Sequence, residues 1–376
     1  MINFILAVAT LAGTIIGVGM FGLPYAASQA GLDLTLFYLF ILGLVVTLIH
    51  LIYGEIVLRT KEKHRLPGYA QIYLGPLGRS LLTFEFFVVL YLTLLVYLLI
   101  GGEFLSLIFA GWINFSPTVG ALILAVLGFG VVFKGLKLTG LAEFLMMAVL
   151  VILVIILSVY SIKFINPANL SLKSSNIFLP YGLILFALAG GSAIPEIRNF
   201  FRVGQRTGLK WAIIIGTLIP VLVYAVFIIA VLGVSGVNTS TEAVKGLVMH
   251  LGEGVFIKYA AWVGFLAVIT SFFTMGLNLK NSLIVDFKFP KALSFLLTAG
   301  VPLALFFSGF TNFITVISFS GAVLGGLEGI LLIIMWRQAR KKGNRVPEYS
   351  LKLGPLWQWF LVGVFIFGII YELIYK

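Results

Sequence analysis

The chain has 376 residues, 61% of them hydrophobic and 10% charged, and its mean hydropathy is +1.15. Those values lie outside ordinary soluble domains and inside the polytopic membrane class, and the absence of cysteine excludes disulfides, thiol catalysis and cysteine metal sites. A net charge of +12 would suit nucleic acid, but the basic residues sit in short loops between apolar runs, so the expected partner is the lipid bilayer and no nucleic acid.

A membrane-crossing helix needs about 20 mainly apolar residues. In chain order, about eleven runs qualify: 2–30, 34–58, 80–110, 117–133, 138–161, 179–200, 208–234, 256–280, 291–308, 311–336 and 355–375. The fold class predicted is an all-α polytopic membrane protein. Trp112, Trp211, Trp262, Trp336 and Trp357 fall near segment ends, as interfacial anchors should. The connection from Lys61 to Arg79 mixes apolar and basic residues, which suggests a short helix on the membrane surface or a plain loop. The stretch 236–255, the longest connection on the opposite side, is either a partly helical lid or a surface loop.

Placing the N-terminus in the cytoplasm puts twenty of the 25 Lys and Arg on the cytoplasmic side, among them Arg59, Lys137, Arg202, Arg206 and Arg345. Only Lys163, Lys173, Lys245, Lys258 and Lys376 fall on the other side. The expected orientation is therefore N-terminus inside and C-terminus outside, in the inner membrane of a prokaryote. The N-terminal run has no basic flank and is broken by Gly and Pro, so it does not read as a signal peptide.

Two of the runs are interrupted in the same way. The first contains Gly13-Thr14-Ile15-Ile16-Gly17-Val18-Gly19 and continues to Pro24; the second contains Phe186-Ala187-Leu188-Ala189-Gly190-Gly191-Ser192 and continues to Pro195. Clustered glycines weaken a lipid-facing helix, and unwound backbone at membrane depth survives only inside protein or along a cavity. Paired breaks of this kind point to a carrier's binding site. Gly17-x-Gly19-x-x-Gly22 also fits the dinucleotide fingerprint, but the required strand and acidic residue are missing. The competing explanation is helix packing, because Gly13-xxx-Gly17 is a small-xxx-small pattern.

An unwound segment frees amides at one end and carbonyls at the other. The amides of Val18 and Gly19, with Gly17 nearby, are placed to meet a carboxylate. The carbonyls of Phe186, Ala187 and Ala189 are placed to meet an ammonium. Such a site suits an α-amino acid and needs no charged side chain, and neither break contains one. The small residues Ala187, Ala189, Gly190, Gly191 and Ser192 leave room for a neutral side chain.

The acids allow more than one role. Glu55 precedes Arg59 by one helical turn and reads as a structural ion pair. Glu85 and Glu196 fall near span ends, where solvation or Arg198 accounts for them. Glu143 and Glu328 lie deeper and are candidates for a proton site or gate, with pairing to loop lysines or buried amides as the alternative. Glu103 is placed to reach the outer vestibule, and His50 reads as a hydrogen-bonded packing residue.

The motifs G-T-x-I-G-x-G-M-x-x-L-P (Gly13 to Pro24) and F-x-x-x-G-G-S-x-I-P-E-I (Phe186 to Ile197) resemble those of the amino acid–polyamine–organocation superfamily with the LeuT fold. Within it, the chain looks most like the hydroxy/aromatic amino acid permeases and the amino acid/auxin permeases. The resemblance implies a 5+5 inverted repeat: a first five-helix unit at 1–161, a second at 179–336, and a peripheral helix at 354–376. It implies a substrate held by the Val18 and Gly19 amides and the Ile15, Phe186 and Ala187 carbonyls. Phe186 would close over it and Tyr97 or Tyr91 would add a hydroxyl. Thr14 and Ser192, within the two motifs, join the candidate lining. Ala267, Thr270 and Ser271 resemble the sodium-coordinating stretch of sodium-coupled members, which would complete a Na⁺ site with the carbonyls of Gly13 and Ile16.

The function implied is import of a neutral L-amino acid by symport through alternating access, working as a monomer. Na⁺ is the coupling ion, H⁺ the alternative, and no organic cofactor is expected. A proton-coupled permease and a membrane sensor that binds without transport are the competing readings. The sequence has no H-E-x-x-H and no nucleophile elbow, so no enzyme is expected.

Overall fold

The computed structural model describes residues 2–134, 140–171, 175–201, 207–251, 255–285 and 287–375, with backbone alone at 140–147, 248–249, 251 and 255–257. Lys137, Lys173, Arg202, Arg206 and Lys376 lie outside the described residues, as does the Glu143 side chain. The elements are helical throughout the described residues: α1 (Ile2–Ile15), α2 (Leu23–Ala30), α3 (Leu32–Arg59), α4 (Leu66–Phe109), α5 (Pro117–Lys134), α6 (Gly140–Ser161), α7 (Leu179–Ala187), α8 (Ile194–Ile197), α9 (Thr207–Ser235), α10 (Val244–Leu251), α11 (Val255–Val285), α12 (Lys291–Phe307), α13 (Phe313–Phe319), α14 (Gly326–Lys342) and α15 (Pro355–Tyr375).

Among the described residues, eight helices are long and apolar enough to cross a membrane. Counting the bent pair Ile2–Ile15 and Val18–Ala30 as one span makes nine. Two shorter apolar helices, Ala148–Phe164 and Lys291–Phe307, lie where the fifth and ninth spans were expected. The protein is thus a polytopic all-α membrane protein, and helix length and composition establish eight or nine of the eleven expected crossings.

Each half-broken run is broken in space. α1 and α2 are separated by a 3-10 turn at Val18–Gly22 and meet at 49°. α7 stops at Ala187, and a 3-10 turn at Gly191–Ala193 leads into the single-turn α8. Pro24 and Pro195 sit in the first turn after each break, where a missing N–H costs no hydrogen bond.

α9 packs along α1 and α3 and also touches α2 and α6, while α4 packs against α5, α11 and α14. α7 runs beside a π-helical segment, Ser320–Gly325, that joins α13 to α14. Their backbones nearly touch: a Cβ on Gly321 would stand 2.0 Å from the Gly182 carbonyl oxygen. The surface connection resolves into a helix over its second part, because α4 begins at Leu66 and turns sharply at Gly75 (φ 77°) before Pro76 enters the bundle. The lid-like stretch contains α10, whose Lys245 pairs with Glu103 of α4.

On the face that carries Arg59 and Arg345, two loops are sewn together. Arg59, the Ser350 hydroxyl and the Leu351 amide all donate to the buried Glu55 carboxylate, as the sequence reading expected for the ion pair. Lys61 donates its amide to Asn344, Arg345 donates to the Leu58 carbonyl, and Tyr349 donates to the Leu51 carbonyl. Nearby, the Glu62 carboxylate is held below the usual range by its own backbone amide and then by the Asn344 side chain.

Two sequence expectations are overturned. Trp336 is no interfacial anchor, because it is completely buried under Arg340, whose guanidinium lies 5.0 Å from the ring centroid. Trp112, Trp211, Trp262 and Trp357 are exposed as expected. Glu85 is not solvated at a span end either: it is 3% exposed. The segment bend at Gly75 brings α4 into the bundle earlier than hydropathy indicated, so Glu85 stands well inside it.

Candidate functional site

The two breaks face one another. A Cβ on Gly19 would lie 2.8 Å from the Ala187 Cα and 3.0 Å from a Phe186 ring carbon. A Cβ on Gly190 would lie 2.3 Å from Ile15 Cγ1. Hydrogen at these two positions is what lets the unwound strands come together, which explains the glycine clusters better than ordinary helix packing does.

The backbone polar groups follow. Ile16 still donates to the Ala12 carbonyl, and Met20 donates to the Gly17 carbonyl at 3.3 Å, but among the described residues the amides of Gly17, Val18 and Gly19 donate to no backbone carbonyl; the Gly17 amide faces the Tyr224 hydroxyl instead. Gly17 itself is extended, at φ −144° and ψ −158°. In the second break Ala189 donates to Phe186 and Ala193 to Gly190, while the amides of Gly190, Gly191 and Ser192 donate to no backbone carbonyl among the described residues. Each break thus offers three consecutive amides that no helix uses. Backbone donors left this way inside a membrane are costly unless a ligand or water meets them.

One side chain absent from the sequence reading joins the two breaks. Tyr224 of α9 is completely buried, and its hydroxyl lies 2.8 Å from the Ile15 carbonyl oxygen and 2.9 Å from the Ala187 carbonyl oxygen. Those are two of the carbonyls expected to receive an ammonium. A phenol carries one proton, so it donates fully to one of them at a time. No local motif marks Tyr224 in the sequence; the only signal is a hydroxyl-bearing aromatic in an otherwise apolar span, and α9 also buries Thr217.

The other candidates are distributed around this centre. Gly13 and Thr14 are half-buried, and the Thr14 hydroxyl donates to its own helix at Thr10. Ile15, Ile16, Val18 and Gly19 are buried, Phe186 is half-buried, and Ala189 and Ser192 are exposed. Tyr97, at 4% exposure, has its hydroxyl within hydrogen-bonding reach of Ser271, and its ring is 6.4 Å from that of Phe272. This register sets Tyr97, rather than Tyr91, against α11.

Of the oxygen set considered for a cation, Ala267 is buried and Thr270 and Ser271 are half-buried. The Thr270 hydroxyl donates to the Ala267 carbonyl at 3.2 Å. α11 meets the 3-10 turn of the first break rather than packing along α1, so Gly13 and Ile16 reach this set only across the gap beside the break. Five oxygens of this kind are hard donors that suit Na⁺ chemically.

On one side the site is roofed by aromatic rings. Phe21 stands edge-on to Phe104 at 5.1 Å and to Phe227 at 5.8 Å. Beyond them the Glu103–Lys245 pair ties α4 to α10. His50 shares its Nδ1 with the Thr217 hydroxyl at 3.0 Å, in the packing role expected for it. An apolar groove of about 440 Å³ between α3, α7 and α15, walled by Phe37, Tyr38, Phe178 and Tyr181 among others, contains no break residue.

Comparison with known proteins gives this geometry a context. The chain is similar to the tyrosine-specific transport system 1 of Haemophilus influenzae, at 24% identity over 89% of this chain and 88% of that protein. It is equally similar to glutamine transporter 2 of Aliivibrio fischeri, at 24% identity over 91% of each. These relatives are transporters rather than enzymes. The tryptophan/tyrosine permease family model matches residues 2–374, essentially the whole chain, and the protein belongs to that family of amino acid permeases.

Proposed function

We propose that this permease imports a neutral L-amino acid by cation symport, reading the substrate's zwitterionic head with main-chain groups. The observation that carries this is the convergence of the Val18 and Gly19 amides, which serve no helix, with the Ile15 and Ala187 carbonyls around Tyr224, whose hydroxyl also faces the Gly17 amide. Donors for a carboxylate stand beside acceptors for an ammonium. Two relatives named for an aromatic and an amide substrate match equally well. What tyrosine and glutamine share is the α-amino and α-carboxyl group, which is the part a backbone site reads.

The substrate would lie between the first break, α4, α7 and α11, with Phe186 beside it and Tyr97 below. The two five-helix units, 1–161 and 179–336, would be inverted repeats that rock about the breaks, with the helix at 354–376 outside them. Na⁺ would bind between the Gly13, Ile16 and Ala267 carbonyls and the Thr270 and Ser271 hydroxyls. Closing that ring of oxygens requires α1 to approach α11, which is how ion occupancy would favour one conformation over the other. The face carrying Arg59 and Arg345 would be cytoplasmic, and the protomer would work alone.

The test is uptake into liposomes of labelled tyrosine, glutamine and other neutral amino acids under a sodium gradient and then a proton gradient. Accumulation driven by sodium is expected, and Thr270→Ala should raise the sodium concentration needed for half-maximal uptake at least 5-fold. Accumulation under neither gradient would refute symport. A second reading, coupling to protons, is favoured by Glu328 of α14, whose Oε1 would lie 3.3 Å from a Cβ on Gly191 in the second break.

A further inference from the structure

Arg198 follows the second break by one short helix. α8 has four residues, about 6 Å of helical rise, and Arg198 opens the 3-10 turn Arg198–Phe200 after it. That turn packs against α1, the helix that leads into the first break. The Arg198 side chain reaches the end of α3, where Nη2 donates to the Thr60 carbonyl at 3.0 Å and to the Lys61 carbonyl at 3.4 Å. Tyr69, in the surface portion of α4, faces the same guanidinium and accepts from the His64 amide. Segments of both broken runs therefore meet α3 and α4 around one arginine, on the face that carries Arg59 and Arg345.

At 3% exposure, Arg198 is the one buried arginine among the described residues. Its Nε and Nη1 have no hydrogen-bond partner, which leaves over one N–H on Nε and two on Nη1. The ion pairs among the described residues are Arg59–Glu55, Lys245–Glu103 and Arg345–Glu348, and Arg198 is in none of them. Glu196, two residues earlier, is exposed, whereas Arg198 is buried. The arginines that flank Thr60 and Lys61 are matched: Arg59 donates to Glu55 and Ser350, and Arg65 to Asn278 and Ser282. A buried cation with unmet donors is costly, and a staple to α3 needs only Nη2. A guanidinium with donors to spare and no acid of its own suits a planar anion.

We propose that Arg198 is a second anion site, which takes the α-carboxylate of the amino acid after it leaves the amides of the breaks and before it enters the cytoplasm. The ligand chemistry is a monovalent carboxylate, whose oxygens accept from the N–H groups that the protein leaves unused. When the turn swings away from α3, the bonds to Thr60 and Lys61 break. The carboxylate then supplies the replacement acceptors, so the inner side opens most readily with substrate aboard. Packing of the same turn on α1 ties that movement to the first break. That the anion is the transported amino acid rests on the carrier reading above; a carboxylate site at Arg198 does not.

Two measurements separate these claims. In the first, purified protein in lipid nanodiscs is melted in rising sodium acetate and in equal concentrations of sodium chloride, with circular dichroism as the readout. Acetate should raise the midpoint of the parent more than chloride does, and Arg198→Gln should need at least 10-fold more acetate for the same rise. If Arg198→Gln does not fold, Arg198→Lys, which keeps the charge and loses the planar fork, takes its place with the same direction expected. An acetate response equal in parent and variant, or absent from both, overturns the anion site; a chloride response as large as that of acetate overturns its assignment to carboxylates. In the second, labelled tyrosine or glutamine, whichever the parent moves, is followed in right-side-out and inverted membrane vesicles. Arg198→Gln should raise the half-saturating concentration at least 10-fold at the inner face and less than 2-fold at the outer face. A purely structural role would lower the maximal rate and leave the ratio between the faces unchanged. Equal shifts at the two faces keep the anion site and overturn its place on the exit path. If the parent moves neither amino acid, the carrier reading fails and the acetate response alone decides the anion site.

Discussion

Single residues carry the site through small geometric facts. Tyr224 holds both breaks, so Tyr224→Phe leaves the Ile15 and Ala187 carbonyls without a donor. Removing one partner of a buried hydrogen bond costs about 1–3 kcal/mol. The variant should therefore melt several degrees lower in detergent and transport poorly; an unchanged melting midpoint would show that water serves those carbonyls. Gly19→Ala forces a methyl group against the Ala187 backbone, where 2.8 Å of space exists. Because the obstacle is backbone rather than a flexible side chain, the breaks must separate. Uptake should fall more than 10-fold while the helical signal by circular dichroism is retained. At this scale the sequence was partly legible: Gly17, Val18 and Gly19 stand out because glycine clusters are costly in a lipid-facing helix. Tyr224 did not, because its role depends on two carbonyls supplied from distant parts of the chain.

At the level of elements, the contact between α7 and the π-helical segment decides where the second break can go. Gly182 and Gly321 form a seam with almost no space: the added Cβ at Gly321 meets the Gly182 oxygen at 2.0 Å. Gly321→Ala should destabilise by about 1–3 kcal/mol through overpacking. A thermal unfolding midpoint equal to that of the parent would contradict the seam. Hydropathy located these helices within a few residues, since each span must be apolar over its length. It could not see the π-helical insertion or the bend at Gly75, because both leave the apolar run unbroken. The bend is also why Glu85 was misplaced at a span end. α11 runs five residues further than its apolar window to Val285, and Lys280 near its end is kept by carbonyls of α5.

For the whole molecule, orientation is the open geometric claim with the simplest check. The chain has no cysteine, so a single introduced thiol reports unambiguously. Val346 is 86% exposed on the Arg345 face and Val237 is 71% exposed on the lid side. With the basic face inside, Val237→Cys in intact cells should react with a membrane-impermeant maleimide, and Val346→Cys only after permeabilisation. The reverse pattern would invert the proposed topology. Class and family were legible from composition and two motifs, because the bilayer constrains composition strongly. The pairing of Glu103 with Lys245 was not, since it joins residues 142 positions apart that neither hydropathy nor motif relates.

A single phenolic hydrogen set between two strands has a mechanical corollary. Rotation about the C–O bond lets Tyr224 swing its donor from one oxygen to the other without moving the ring. If the strands slide apart, the hydroxyl can follow either and keep half of its bonding at every stage. Such a swivel would smooth the path between two shapes of the empty protein, and a methylated phenol at that position would seize it.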